Sequence, residues 1–328
     1  MNSIYFRSLA CWLALAAPGP AMAEEWEELA RRLEAVTGSP GHAYRLHDDG
    51  GRSMDCLEIF QVGADGKLGV YGLYHTQKGG VFSVHLAHSG DLMKWRHVAV
   101  LDDHASQATI FATADGGYLL SYEKDAPNSC WIRIRYYKDL GQLRVGAFAR
   151  EFDVPRSLAP TAEGTPSFES VKWEAGGLGN SEIALRFHYF KDVRVDQLAR
   201  GVLRGFESWT AEPETKINRE LRSRGGRGNL GDRARFEWRS EPYYLQEVQR
   251  RRGDWKSWGV YLCDGDGMPL RALDLVTHAK ADAFCNPNAR WFIDPEGGRK
   301  LAVTMFLPGE GSAPSESGQL LYIIDPDG

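Results

Sequence analysis

Five short polar segments recur along the sequence, and each stands directly before a run of strand-forming residues. They read SMD, LDDHASQ, AEGTP, GNLGDR and FCNPN. Their carboxylate, amide, imidazole and guanidinium groups belong to Asp55, Asp103, His104, Gln107, Glu163, Asp232, Arg233, Asn286 and Asn288. The hydroxyls of a polyhydroxylated ligand need hydrogen-bond donors as well as acceptors, and this set supplies both. If the segments converge in space, they predict a carbohydrate-binding site.

A second set of polar side chains follows strands instead of preceding them, at His75, His188, Asp192 and Glu247. In antiparallel sheets the end of one strand meets the start of its neighbour, so this set would join the first at one face. A glycosidase needs two carboxyls at the scissile bond, one kept protonated as an acid and one ionised. The histidine spacing matches no metal-ligand motif, so we expect neither a metal ion nor a cofactor.

The elements that must position these residues form an internal repeat of short strands separated by Gly, Asp, Asn and Pro. Five units recur, four of them reading as four strands and the fifth as three, and the first strands centre on Phe60, Phe111, Phe168, Phe236 and Phe292. This spacing is typical of four-stranded propeller blades. It predicts an all-β fold, a five-bladed β-propeller with a short N-terminal helix. A β-sandwich with irregular hairpins is the alternative.

Two features of the strands refine this prediction. In AHSGDLMKW we expect the Asp91 side chain to accept backbone N–H bonds in a tight turn, with Trp95 packing at the start of the next strand. The fifth unit stops after its third strand, and an open edge strand invites aggregation. Residues 42–48, HAYRLHD, are therefore expected to supply the missing strand and close the ring.

The N-terminal segment predicts export. Arg7, the apolar stretch LACWLALAA and the AMA site ending at Ala23 are typical of a signal peptide over residues 1–23. Residues 24–40 are expected to form a helix and linker, with the helix over 24–38, and residues 41–328 the propeller. We expect a secreted or periplasmic protein that has no membrane partner after the signal is removed.

Charge and cysteine content set further bounds. The formal net charge of -5 argues against a nucleic-acid partner. Four cysteines follow the signal segment, an even number in an oxidising compartment, so disulfides are expected. We expect Cys263 and Cys285 to pair more readily than Cys56 and Cys130. The oligomeric state is left open.

On these patterns the sequence resembles the five-bladed propeller glycosidases of glycoside hydrolase family 43 and their relatives. The resemblance rests on AHSGDLMKW, ADGGYLLSYEKD and EGTPSF, and it extends over the chain after the signal. It implies a carbohydrate substrate and three carboxylates at the inner ends of blades one to three: a base, an Asp that tunes pKa, and an acid. On that resemblance Glu163 is the acid and Asp55 the base. Gln107 or Ala108 stands where the Asp of blade two is expected, and Asp103 lies a few residues upstream.

Several of these residues also have a structural interpretation. A strand-start carboxylate such as Glu163 can simply bind backbone amides, and Asp55 can be a turn residue. Asp232 and Arg233 can form an ion pair at the start of blade four. The sequence therefore predicts a glycoside hydrolase that uses paired carboxylates at the propeller centre. The alternative is a non-catalytic carbohydrate-binding or surface-adhesion propeller.

Arginines concentrate in one part of the chain, with seven between positions 219 and 239 and three more at 250–252. They predict either recognition of a carboxylate or sulfate on an acidic glycan, or salt bridges on a solvated loop. Four tryptophans are candidates for stacking on sugar rings: Trp173, Trp209, Trp255 and Trp258. Of these, Trp209 and Trp258 stand in strands, where core packing is the usual role. The expected partner is a carbohydrate, with an acidic glycan as one option.

Overall fold

The computed structural model of the protein describes residues 20–64, 67–192 and 194–326. Most of the predicted signal peptide, residues 1–19, lies outside these ranges. Within them the chain forms five four-stranded antiparallel sheets, which are the blades of a β-propeller, and an N-terminal helix. The predicted fold class is confirmed, and each of the five predicted first strands is the innermost strand of a blade.

The strands are numbered in chain order, and the first of them, β1 (His42–Ala43), belongs to the last blade. Blade one consists of β2 (Asp55–Ala64), β3 (Lys67–Lys78), β4 (Val81–Ser89) and β5 (Trp95–Asp103). Blade two consists of β6 (Ala105–Ala112), β7 (Tyr118–Ala126), β8 (Ser129–Tyr137) and β9 (Arg150–Asp153). Blade three consists of β10 (Glu163–Lys172), β11 (Glu182–Lys191), β12 (Val195–Arg204) and β13 (Ser208–Pro213). Blade four consists of β14 (Leu230–Trp238), β15 (Glu241–Gln249), β16 (Trp258–Cys263) and β17 (Pro269–Ala272). Blade five consists of β18 (Cys285–Ile293), β19 (Arg299–Leu307), β20 (Gly318–Ile324) and β1.

The ring closes through a strand from the N-terminal side of the propeller. β1 pairs antiparallel with β20, with His42 opposite Tyr322 and Ala43 opposite Leu321. Farther along, the Leu46 amide donates to the Gln319 carbonyl at 3.1 Å. The predicted closure is confirmed, and it covers the edge of β20 that would otherwise be open.

Helix α1 (Pro20–Glu34) packs against blades four and five. Leu29, Leu33 and Val36, three of the residues whose spacing predicts the helix, are fully buried there, together with Tyr322 of β20. The remaining helical segments are short: α2 (Leu140–Arg144), α3 (Thr215–Ser223) and single 3-10 turns at Val36–Gly38, Gly177–Asn180 and Trp255–Ser257. In the described part of the chain, no helix has the length and apolar character needed to cross a membrane.

The turn between β4 and β5 has the predicted construction. One oxygen of the Asp91 carboxylate accepts the amides of Met93 and Lys94, at 2.9 and 2.7 Å. Trp95 is 3% exposed, and its indole N–H donates to the Leu92 carbonyl at 2.8 Å. These hydrogen bonds satisfy the backbone of the reversal locally, while Leu92 and Trp95 pack in a cluster with Phe292 of blade five.

Candidate active site at the mouth of the propeller axis

The topology separates the polar connections of the propeller onto two faces. Within each blade the strands are A to D from the axis outward, and neighbouring strands are antiparallel. The starts of the A strands therefore share one face with the B–C and D–A connections, and the A–B and C–D turns share the other. We call these the mouth face and the turn face. The mouth is the region on the axis where the five A strands begin and the B strands end.

Each A strand begins with a register shift against its B strand, at the same place in all five blades. In four blades a non-glycine residue just after the strand start has positive φ: Cys56 (54°), Gln107 (53°), Thr165 (47°) and Asn286 (47°). Left-handed conformations are costly for such residues, and β-bulges of this kind re-aim side chains beside functional sites. The register shift therefore recurs at the start of the innermost strand in every blade.

The axial channel is almost filled. Its cavity volume is only ≈ 10 Å³, and its lining extends from Cys56, Gln107 and Asn286 at the mouth to Glu58 and Arg290. The carboxylate of Glu58 in blade one accepts a hydrogen bond from Arg290 of blade five at 2.7 Å, and Arg290 also donates to the Arg235 carbonyl. This ion pair therefore joins blades five and one inside the channel.

Three side chains from blades two and three meet at one side of the mouth. The Nε2 atom of His188, at the end of β11, lies 3.9 Å from Oε2 of Glu123 and 3.9 Å from Oδ1 of Asp196. The Glu123 and Asp196 side chains are 21% and 18% exposed, so both reach solvent. Burial raises the pKa of Glu123; the imidazole of His188 opposes the shift and the charge of Asp196 adds to it.

A second pair of carboxyls, Asp232 and Glu247, belongs to blade four. Glu247 of β15 accepts the amide of Asp232 at 2.8 Å with one oxygen and the amide of Asn286 at 2.5 Å with the other. Burial, followed by the charge of Glu247, raises the pKa of Asp232 well above its usual range. Burial also raises the pKa of Glu247, although its two amide hydrogen bonds favour the ionised form.

Two glycines make room for these carboxyls. A Cβ atom at Gly164 would overlap Oε2 of Glu123, and a Cβ atom at Gly231 would overlap Oε1 of Glu247. Each glycine lies near the start of an A strand, beside a carboxyl from a neighbouring B strand. The close approach of carboxyl to backbone requires glycine at both positions.

Gln107 joins the remaining side of the mouth. Its backbone N–H donates to Nδ1 of His75 at 3.2 Å, and its side-chain oxygen accepts the Asn286 amide group at 3.1 Å. His75 is 6% exposed, and burial lowers the pKa of its imidazole to about 4. The imidazole is therefore neutral at pH 7, as its role as a hydrogen-bond acceptor requires.

Of the three residues predicted to be catalytic, Glu163 has the most local partners. One oxygen of its buried carboxylate accepts the amides of Ser157, Leu158 and Ala159. The other oxygen is buried and has no hydrogen-bond partner among the described residues. This arrangement agrees with the structural interpretation of Glu163 as a strand-start carboxylate that binds backbone amides. The carboxylate holds the loop that precedes blade three.

Asp55 lies at the start of blade one, where its carboxylate accepts the Ser53 hydroxyl. Burial raises its pKa. Asp103 and His104 are instead exposed, between blades one and two, where Asp103 accepts the Ser83 hydroxyl at 2.8 Å and His104 lies 3.5 Å from Asp125. Asp55 thus belongs to the mouth, whereas the polar contacts of Asp103 and His104 lie outside it.

Two predicted binding residues lie in the channel rather than at its opening. Arg233 is 5% exposed and forms an ion pair with Glu214 at 2.7 Å. Among the described residues, its side chain forms no ion pair with Asp232, so the alternative pairing considered from the sequence is not found. Asn288 lines the channel, and its side-chain oxygen is buried without a hydrogen-bond partner in the described chain.

Sequence reasoning missed two carboxyls of the mouth, Glu123 and Asp196. Glu123 lies opposite Ser106 at the start of β6, as His75 lies opposite Asp55 and His188 opposite Gly164. This equivalence would have identified Glu123 once the strand register was known. For Asp196, at the start of a C strand, the sequence carries no such signal. Within the described ranges, no group of three or more His, Cys, Asp or Glu residues is arranged to hold a metal ion.

The predicted disulfide is not found, because all four cysteines of the described chain are free. Cys263 ends a C strand and so lies on the turn face, packed with Leu198 and Tyr244 between blades three and four. Cys285 begins an A strand at the mouth, with its thiol against the Phe306 carbonyl. The two residues are close in sequence but belong to opposite faces.

Comparison with known proteins gives matches of structure only. No protein-family profile matches the sequence, and no curated protein matches it. A structure described as a glycoside hydrolase superposes with a TM-score of 0.57 at 10% identity, over 90% of this chain and 95% of that one. A thermostable family-43 glycoside hydrolase gives 0.53 at 8%, covering 86% and 92%. An exo-1,5-alpha-L-arabinanase from a bovine ruminal metagenomic library gives 0.51 at 12%, covering 87% and 98%.

In each of these superpositions, the aligned region covers most of this chain and most of the other chain. At such identities the likeness is one of fold, and it carries no residue roles from one chain to another. The resemblance inferred from the sequence is confirmed at that level: this chain has the five-bladed propeller fold of family-43 glycoside hydrolases.

Proposed function

We propose that the protein is an exported glycoside hydrolase whose catalytic carboxyls are Glu123 and Asp196. The observation that carries the proposal is that both carboxyls lie 3.9 Å from the same atom, Nε2 of His188. Their nearest oxygens are consequently no more than about 8 Å apart, below the upper limit of about 9.5 Å for inverting glycosidases. Both side chains reach solvent at the mouth, where a sugar has access to them.

The environments of the two groups support different roles. Glu123, with its raised pKa, is assigned as the general acid, and its proton passes to the glycosidic oxygen as the bond from that oxygen to the anomeric carbon breaks. Asp196 is assigned as the base that takes a proton from the attacking water, whose oxygen forms the new bond to the anomeric carbon. His188 is a positioning residue, because it lies between the two carboxyls.

The assignment of Glu163 as acid and Asp55 as base stays a prediction, and the same experiments test it. The amides of residues 157–159 engage one oxygen of Glu163. Asp55 has the raised pKa of a buried carboxyl at the mouth. If either one is catalytic, its amide variant will lose activity to the same degree as the variant of Glu123.

A non-catalytic carbohydrate-binding propeller is the second candidate. It is favoured by Gln107, which stands in blade two where the family resemblance implies a carboxylate, and which is hydrogen-bonded to Asn286. Two side-chain amides at the mouth suit sugar hydroxyls, since each amide offers both a donor and an acceptor.

Hydrolysis of a panel of aryl-glycosides and polysaccharides tests the proposal. We expect Glu123→Gln and Asp196→Asn each to lower kcat about 10²–10⁴-fold, the usual effect of removing acid–base catalysis. Glu296→Gln is the matched control, because Glu296 is exposed on the turn face. Full activity in both mouth variants overturns the assignment. Carbohydrate binding without hydrolysis by the parent protein favours the second candidate.

Export and substrate charge belong to the same proposal. The N-terminal sequence supports export, and sequencing the N-terminus of protein recovered from periplasm or medium tests it, with Glu24 expected as the first residue after cleavage. An acidic glycan as substrate is supported by the exposed arginines at positions 250–252.

A further inference from the structure

The B–C connection of blade four, residues 250–257, is a basic segment on the mouth face. It reads RRRGDWKS and carries four basic residues against one acidic residue, Asp254. The adjacent B–C connection of blade five approaches it, because a Cβ atom at Gly311 would lie 3.2 Å from Cγ of Lys256. These two connections therefore lie against each other on the mouth face.

The segment is held in one conformation by its own hydrogen bonds. The Ser257 hydroxyl accepts the Arg251 amide at 3.0 Å, and the Asp254 carboxylate accepts the Lys256 amide at 3.0 Å. Despite this order, Trp255 is 50% exposed, whereas its neighbour Trp258 is 7% exposed. A large aromatic side chain presented to solvent on an ordered loop is a typical element of a ligand-binding surface.

A chain of hydrogen bonds connects this segment to the carboxyls at the mouth. The Gln249 side chain donates to the Asp254 carbonyl at 3.4 Å and accepts the Asn229 amide at 3.2 Å. The Asn229 side chain in turn accepts the Asp196 amide at 3.2 Å. The connection that carries Trp255 is therefore joined to Asp196 on the mouth face through Gln249 and Asn229.

The basic charge of the segment is available to a ligand. Five arginines of the 219–239 stretch are engaged in ion pairs or with backbone carbonyls: Arg222, Arg224, Arg233, Arg235 and Arg239. Arg251 pairs with Asp254. Arg250 and Arg252 are exposed, and within the part of the chain that the structure describes neither forms an ion pair.

We propose that residues 250–257 form an outer subsite for an anionic oligosaccharide. One sugar ring stacks on Trp255, and its carboxylate binds Arg250 and Arg252, whose planar guanidinium groups match a carboxylate. The distribution of charge sets the orientation, because the carboxyls at the mouth repel an anion and the arginines attract it. A ligand binds with its acidic unit outside and a neutral portion at the mouth. The substrate class rests on the proposed function, whereas the binding surface does not need hydrolysis.

Binding of trigalacturonate and of its fully methyl-esterified form, measured by titration calorimetry at low salt, tests the inference. The two probes share their sugar rings and differ in charge. We expect wild-type protein to bind the acid at least tenfold more tightly than the ester, and the double variant Arg250→Gln/Arg252→Gln to remove that preference. Trp255→Ala is expected to weaken both probes about tenfold, because it removes apolar contact area and leaves charge unchanged.

Phe148→Ala is the matched control, since Phe148 is 41% exposed in the C–D turn of blade two, on the turn face. Equal affinity for acid and ester in the wild type, or an unaltered affinity in Trp255→Ala, overturns the inference. So does competition by tripolyphosphate as strong as that by trigalacturonate, because it reveals a general anion patch. Binding with these properties in a protein that hydrolyses nothing retains the subsite and removes the hydrolase proposal. Hydrolysis of neutral sugars, together with unaltered probe affinity in Trp255→Ala, retains the hydrolase proposal and removes the subsite.

Discussion

The pKa values of carboxyl groups on the two faces of the propeller are shifted in opposite directions. On the turn face, hydrogen bonds from backbone amides and side chains lower the pKa of Asp91, Asp115 and Asp294 despite partial burial. At the mouth, burial raises the pKa of Glu123 and Glu247. The first group has its hydrogen-bond donors within its own blade, whereas Glu123 in blade two and Glu247 in blade four both feel the charge of Asp196 in blade three.

Backbone strain at the mouth recurs at one structural position. The left-handed residue just after the start of the A strand is non-glycine in four blades, as at Gln107 and Asn286. Turn-face reversals use both glycine, as at Gly116, and non-glycine residues, as at Leu92 and Phe206, in this conformation. The mouth therefore differs from the turn face in repeating the same strained position from blade to blade, and such strain concentrates at functional sites.

Opening the ring should have the largest effect, because the mouth exists only while all five blades are held together. Deletion of residues 40–48 removes β1 and exposes the edge of β20. We expect the truncated protein to aggregate, whereas the parent remains dispersed. Size-exclusion chromatography with light scattering measures this. A monomeric truncation as stable as the parent would contradict the role of β1.

Acid should destabilise the protein through histidines buried in the neutral form. Burial lowers the pKa values of His75 and His85 to about 4, so the unfolded chain binds protons that the folded chain does not. The contribution of the neutral histidines to the free energy of unfolding is then fully present above about pH 6.5. It falls as pH decreases toward 4, by on the order of 3 kcal/mol for each histidine.

Urea unfolding at pH 7 and pH 5 measures this loss. His75→Asn keeps a hydrogen-bond acceptor near the Gln107 amide and removes the titration, so its stability should depend less on pH than that of the parent. His278→Asn, at an exposed position, is the control. An unchanged pH dependence in His75→Asn is the outcome that excludes this histidine as the cause.

Removal of a turn-face carboxylate should have a moderate effect on stability and none on ligand binding. Asp91→Ala leaves the amides of Met93 and Lys94 without their side-chain acceptor. We expect a loss of about 1–2 kcal/mol in the free energy of unfolding, as for other side-chain caps. Denaturant unfolding and a binding assay, run on the same preparation, separate the two effects. Loss of binding at unchanged stability would reverse the distinction between the faces.

Removal of a mouth carboxylate should have the smallest effect on stability, and with the opposite sign. Because the folded-state pKa of Glu123 is raised, its ionisation costs stability as pH increases above the unfolded value. Glu123→Gln resembles the protonated form, so it should be neutral at pH 5 and stabilising by about 1 kcal/mol or less at pH 8. Unfolding curves at both pH values measure the difference. A variant that is less stable at pH 8 than at pH 5, relative to the parent, would contradict the assigned pKa direction.

Much of the fold was predictable because each hairpin depends on short-range sequence. Asp91 and its neighbours form a complete turn from adjacent residues, and the recurring first strands indicate the number of blades. Candidate residues at the mouth were predictable where the chain enters an A strand, as for Asp55, Gln107 and Asn286. Glu123 was not predicted as a site residue, because only its register opposite Ser106 shows that it lies at the mouth.

By itself, the sequence determined the all-β architecture, the presence of an N-terminal helix and the closure by residues near His42, since period, turn chemistry and a missing strand are local features. Only the tertiary structure decided which carboxyls meet. Glu163 turns to the amides of residues 157–159, and Glu123 approaches His188 from another blade. The pKa of a carboxyl depends on burial and on charges from distant parts of the chain, and those are properties of the assembled ring.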